Sequence, residues 1–147
     1  MSNGLTSVVI SVLSLAASRL AETEHQKELA AWIGSRDQGV FGSGVVGFDV
    51  SEIPWSLRGY PEDRAFVLRA IEAARAKVGW EVLTYEPRED WLMESLDHLS
   101  RIVGAFSSEH ITESERGSWP WGKPEQLTLC EKHKVFQHIA GCVVCND

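Results

Sequence analysis

The chain has 147 residues, enough for one ordinary domain with a small appended module, and it carries 14 Lys and Arg against 21 Asp and Glu, a net charge of −7. A hydrophobic content of 44% with six tryptophans leaves ample apolar surface to bury, which excludes wholesale disorder. The acidic balance disfavours direct binding to nucleic acid or to an anionic membrane surface, and suits a basic protein partner.

The first predicted element lies in "GLTSVVISVLSLAASRLAE". Its apolar run, Val8 to Ala17, is interrupted by Ser11 and Ser14 and falls far short of the ~20 residues that span a bilayer. No Lys or Arg precedes it, so the positive region of a signal peptide is missing. Val9, Val12, Leu13, Ala16, Ala17 and Leu20 recur at helical spacing, which predicts an amphipathic core helix in a cytoplasmic protein. A second helix is expected over 22–35, with Thr23 and Gln26 as a capping box and Leu29, Ala30, Trp32 and Ile33 on the buried side.

A glycine-rich stretch follows, and Val45 to Val50 reads as a short strand. Gly42, Gly44 and Gly47 match the letters of a dinucleotide fingerprint, but Pro54 soon follows where a helix would have to start, so the stretch is read as a turn-rich loop. The third helix opens with Pro61, Glu62 and Asp63 and buries Phe66, Val67, Ala70, Ile71, Ala74 and Val78, with Gly79 as its stop. The fourth opens after Pro87, with Trp91, Leu92, Leu96, Leu99, Ile102, Val103 and Phe106 as its stripe and His98 at the margin. Residues 107–127 form a polar linker in which Trp119 and Trp121 fold back on the helices.

Two features carry chemistry. The tail "LCEKHKVFQHIAGCVVCND" holds all three cysteines. Cys130 and His133 are C-x2-H, Cys142 and Cys145 are C-x2-C, and each pair can supply half of a tetrahedron in a tight turn. Gly141 stands where such a turn needs positive φ. Four ligands close the shell of a structural Zn2+, with His138 as an alternative to His133. A disulfide would leave one thiol over, a thioredoxin-like site needs a helix after its C-x-x-C, and a zinc deaminase needs a His-x-Glu that is absent.

The second feature is charge position. Between Glu81 and Glu115 stand nine acids and two bases, Arg88 and Arg101, so this segment equals the net −7 of the whole chain. Glu86, Glu89, Asp90, Glu94 and Asp97 lie beside or within the fourth helix. They form either a solvated face or a docking surface for a basic protein. Paired-carboxylate catalysis is disfavoured, because exposed carboxylates keep ordinary pKa values.

Taken together, "WIGSRDQGVFGSGVVGFDV", "IPW", "KVGW" and the cysteine tail resemble small bacterial immunity proteins, which neutralise toxins. The resemblance implies a non-enzymatic inhibitor that covers a cognate toxin and carries over no binding residues; the acidic segment, in turn, points to a basic toxin, such as a nuclease. The expected fold is mainly α: a four-helix domain over 1–118 and a linker with a zinc ribbon-like module over 119–147, or α+β if the glycine-rich segment pairs as strands. A small zinc-dependent hydrolase and a zinc-stabilised adaptor or regulatory subunit are the alternatives.

Overall fold

The structure is a computed structural model, and it describes residues 3–37, 48–111, 119 and 122–145, with side chains from Thr6 onward. Four helices account for most of it: α1 (Asn3–Leu20), α2 (Glu24–Ser35), α3 (Tyr60–Arg75) and α4 (Glu89–Ala105). Among the described residues there is no strand, only the isolated antiparallel bridges Leu129–Phe136 and His138–Gly141. The fold is therefore mainly α. Val45 to Gly47 lie outside the described residues, as do Gly42 and Gly44. Val50–Glu52, the end of the expected strand, is a 3-10 turn capped by Asp49, whose carboxylate accepts from the Ser51 N–H at 3.0 Å.

The first helix is the centre of the molecule. It packs against α2, α3 and α4. Every residue from Val9 to Ser18 is buried, so α1 is enclosed on all sides rather than amphipathic as its sequence suggested. Ser11 and Ser14 can be buried because a hydroxyl can bond to backbone carbonyls; Ser14 Oγ donates to the Ala30 carbonyl at 2.9 Å. No helix among the described residues is long and apolar enough to cross a membrane.

The second helix begins with the expected box: the Gln26 N–H donates to Thr23 Oγ1 at 3.1 Å and the Thr23 N–H to Gln26 Oε1 at 3.2 Å. Its last two turns, Leu29 to Ser35, are wholly buried.

The third helix ends before its expected stop. Lys77, at φ 66°, takes the left-handed position; its N–H bonds the Ala74 carbonyl and the Val78 N–H reaches back to Ala73, which closes a Schellman cap. Val78 is thus outside the helix. Gly79, at φ 84°, serves packing instead, since a Cβ there would lie 2.7 Å from Leu15 Cγ. Trp55, Tyr60 and Phe106 form an aromatic corner, in which Trp55 Nε1 donates to the Val50 carbonyl at 2.9 Å and the Tyr60 hydroxyl to the Phe106 carbonyl.

On α4 the stripe is narrower than its sequence implied. Leu92, Leu96 and Val103 are buried, and Leu99 and Phe106 pack at the edge. Trp91 and Ile102 are 50% and 42% exposed. Both stand where the helical face turns from core to solvent, and no neighbouring element covers them among the described residues. Trp119 packs against the core as expected, whereas Trp121 is outside the described residues.

Candidate metal centre and acidic face

The tail folds into two tight turns stacked on α1 and α2. In the first, the Cys130 N–H donates to the Val135 carbonyl and the Lys134 N–H to the Cys130 carbonyl, each at 2.8 Å. Lys134, at φ 58°, closes this turn in a left-handed conformation, and it carries Cys130 and His133 on one side. In the second, His138 and Gly141 exchange backbone hydrogen bonds at 3.0 and 2.9 Å, and Gly141, at φ 104°, delivers Cys142 and Cys145 to the same point.

The ligand atoms of Cys130, His133, Cys142 and Cys145 all lie within 4.8 Å of one another. Cys130 Sγ is 3.7 Å from both His133 Nδ1 and Cys145 Sγ. His133 Nδ1 is 3.6 Å from Cys142 Sγ and 3.2 Å from Cys145 Sγ. No disulfide joins any of the three thiols. Three thiol sulfurs and one imidazole nitrogen converging on one point are consistent with a metal site.

Local electrostatics agree with a ligand role. Burial pushes the Cys142 thiol up to about 12, so this group ionises only when a cation repays its desolvation. Burial also opposes ionisation at Cys130, yet the backbone N–H groups of His133 and Lys132, aimed at its sulfur, hold it below the ordinary thiol value. Burial, with the charge of Lys132, lowers His133, which keeps its imidazole neutral and free to ligate. His138 stands apart from the cluster: its Nδ1 accepts from the Ala140 N–H at 3.2 Å, and burial lowers it to about 4. Of the two histidines the sequence left open, the structure brings His133 to the cysteines.

The turns are anchored into the helical core. Val135 and Val143 are fully buried, and the Phe136 N–H donates to Ser18 Oγ at 3.0 Å. At Gly34 a Cβ would lie 3.0 Å from Ser14 Oγ and 3.4 Å from Val143 Cβ, so this glycine lets α1, α2 and the second turn close together. Cys130, Val135, Phe136, Cys142, Val143 and Val144 thus share one apolar core with the four helices.

The five predicted acids fall into two groups. Glu89 pairs with Lys77 at 2.6 Å, and Asp97 pairs with Arg101 and lies 3.9 Å from Arg75. Glu86, Asp90 and Glu94 are exposed, and no ion pair joins them to a cation among the described residues. Trp91 stands beside Asp90, with the Arg88 guanidinium 4.0 Å from its ring centre.

A third group was not foreseen from the sequence. His25 Nε2 lies 2.9 Å from Asp63 Oδ2 and its Nδ1 3.3 Å from Glu28 Oε2, while Glu28 pairs with Lys123 at 3.0 Å. His25, Glu28 and Lys123 border an open cleft of about 500 Å3. The i, i+3 spacing of His25 and Glu28 was visible, but Asp63 and Lys123 join them only through folding.

No protein-family model, no curated protein and no solved structure matches this chain.

Proposed function

We propose that this chain is a small inhibitory binding protein of the immunity type, stabilised by a structural Zn2+, which neutralises a basic protein toxin by docking on the acidic face of α4. The observation that carries the docking role is Trp91. A half-exposed tryptophan beside the exposed carboxylates Asp90 and Glu94, which no cation pairs among the described residues, joins an aromatic anchor to steering charge, the combination that dominates protein interfaces. A basic toxin such as a nuclease, built to hold phosphates, presents the complementary field.

Zinc is supported by the donor set and its spacing. Thiolates at about 2.3 Å and an imidazole at about 2.0–2.1 Å from a tetrahedral zinc would stand about 3.8 Å apart for sulfur pairs and about 3.6 Å for sulfur and nitrogen. Three of the separations here, 3.7, 3.7 and 3.6 Å, fit that shell, and Cys145 to His133 at 3.2 Å needs only a small outward shift. When bound, the ion supplies cross-linking of two turns. Four protein ligands fill its coordination, which supports a binding protein over a zinc hydrolase, whose metal keeps an open position.

The test is to express the product of the neighbouring gene in cells with and without this chain and to measure survival. The parent chain should protect, and Glu86→Lys with Asp90→Lys and Glu94→Lys should slow association and abolish protection while the circular dichroism spectrum is unchanged. Protection by the triple variant equal to the parent, or none by the parent, would overturn the reading.

A further inference from the structure

Next to the acidic stripe, α4 and α1 leave an apolar slot of about 170 Å3. Val9 and Ile10 of α1 and Leu99 and Ile102 of α4 line it, together with Phe48 and His98. The lining is overwhelmingly carbon, and its volume is comparable to a cavity of about 150 Å3 that admits a benzene ring. Ile102 is 42% exposed at its rim and His98 is exposed, so the slot opens to solvent.

Helical geometry places this slot relative to the charge. Glu94 immediately precedes Ser95, another lining residue, and lies four residues, one turn, before His98. Trp91, about 100° around the helix from Asp90, falls in line with the Ser95–His98–Ile102 row and one turn before Ser95, with Asp90 and Glu94 along its flank. Apolar slot, aromatic ring and exposed carboxylates therefore form one continuous strip along α4. Among the described residues the cations of α4 and its N-cap are engaged: Arg101 with Asp97 and Arg88 with the Trp91 ring.

We infer that this slot receives a single aliphatic side chain of the partner, presented between basic residues that pair with Asp90 and Glu94. This rests on the proposed docking role of α4 and adds to it the chemistry of the recognised segment. Charge selects the occupant: the carboxylates beside the slot repel a second copy of this acidic chain and an anionic bilayer, and attract a cationic segment. The slot adds a requirement that charge alone cannot impose, since burying one leucine-sized side chain is worth a factor of ten or more in affinity, at about 1.4 kcal/mol per tenfold.

Two acetylated, amidated pentapeptides, leucine or serine flanked by two lysines on each side, provide the test. They are titrated into 13C-methyl-labelled full-length protein. The leucine peptide should bind at least about tenfold more tightly and shift the Ile102 and Ile10 methyl signals; Ile102→Ser should reduce it to the level of the serine peptide. Asp90→Asn with Glu94→Gln should weaken both peptides alike. Equal binding of the two peptides, both lost in the Asp90 and Glu94 variant, would overturn the slot and leave the acidic face standing. Binding of neither would overturn both. Concentration-dependent dimerisation abolished by Ile102→Ser would assign the slot to a second copy and likewise overturn the inference.

Discussion

His25 Nε2 and Asp63 Oδ2, 38 residues apart in sequence, meet at 2.9 Å and tie the start of α2 to the first turns of α3. The same Asp63 oxygen accepts from the Ser56 N–H at 2.7 Å, so one buried carboxylate organises a helix start, a loop and an imidazole. Its bond to Asp63, then that to Glu28, raises His25 to about 9.

A folded-state pKa above the unfolded value means that the folded chain holds the proton more tightly. The stabilisation is therefore complete below about 6.5 and is lost as pH rises through about 9. A shift of this size corresponds to roughly 3 kcal/mol, and solvent screening of the part-exposed ring reduces it to about 1–2 kcal/mol. Thermal melts should show the parent losing stability between pH 7 and 10 relative to His25→Gln, whose side chain does not titrate. Parallel curves for the two proteins would remove His25 from the account.

Metal content provides the second prediction. Protein purified without chelator should hold about one zinc per chain, and Cys142→Ser should lose it, because thiolate ligation supplies most of the binding energy. Chelation should lower the melting temperature and raise amide exchange at Val135, Phe136 and Val143, which the two turns press against α1 and α2. Retention of metal by the variant would move the site elsewhere.

The two histidines of the tail should separate cleanly. His133→Ala should lose the metal. His138→Ala should keep it while destabilising the fold by about 1–3 kcal/mol, the cost of removing a buried acceptor from the Ala140 N–H. Zinc stoichiometry and a denaturant melt on each variant decide the point, and the opposite pattern would put His138 in the shell.

Trp91→Ala should leave stability within about 0.5 kcal/mol, as expected for an exposed side chain. Its binding to the toxin should weaken by about 2 kcal/mol or more. Loss of stability with affinity unchanged would make Trp91 a packing residue.

Gly79→Ala tests the packing of α1. A left-handed φ of 84° and a Cβ 2.7 Å from Leu15 should together cost at least about 2 kcal/mol by urea melt. A neutral result would mean that α1 can shift without loss.

Local rules were enough for much of this protein. The Thr23–Gln26 box, Pro61 in the first turn of α3, the apolar spacing of the four helices and the C-x2-H and C-x2-C pairs all depend on residues a few positions apart, and their physics is complete within one turn. What only the tertiary structure decided are the matters that need two distant segments. Periodicity gives an angular position on a helix but not what stands opposite it, so it placed Trp91 and Ile102 in the core of α4 and left α1 amphipathic. Gly79 looked like a helix stop because a glycine's backbone freedom is visible in sequence, whereas the Leu15 side chain that forbids a Cβ is not. The choice of His133 over His138 turned on which histidine the left-handed turn at Lys134 carries to the cysteines, and the His25–Asp63 bond on two helices that both pack against α1. Sequence records what each residue can do; only packing decides which partner is within reach.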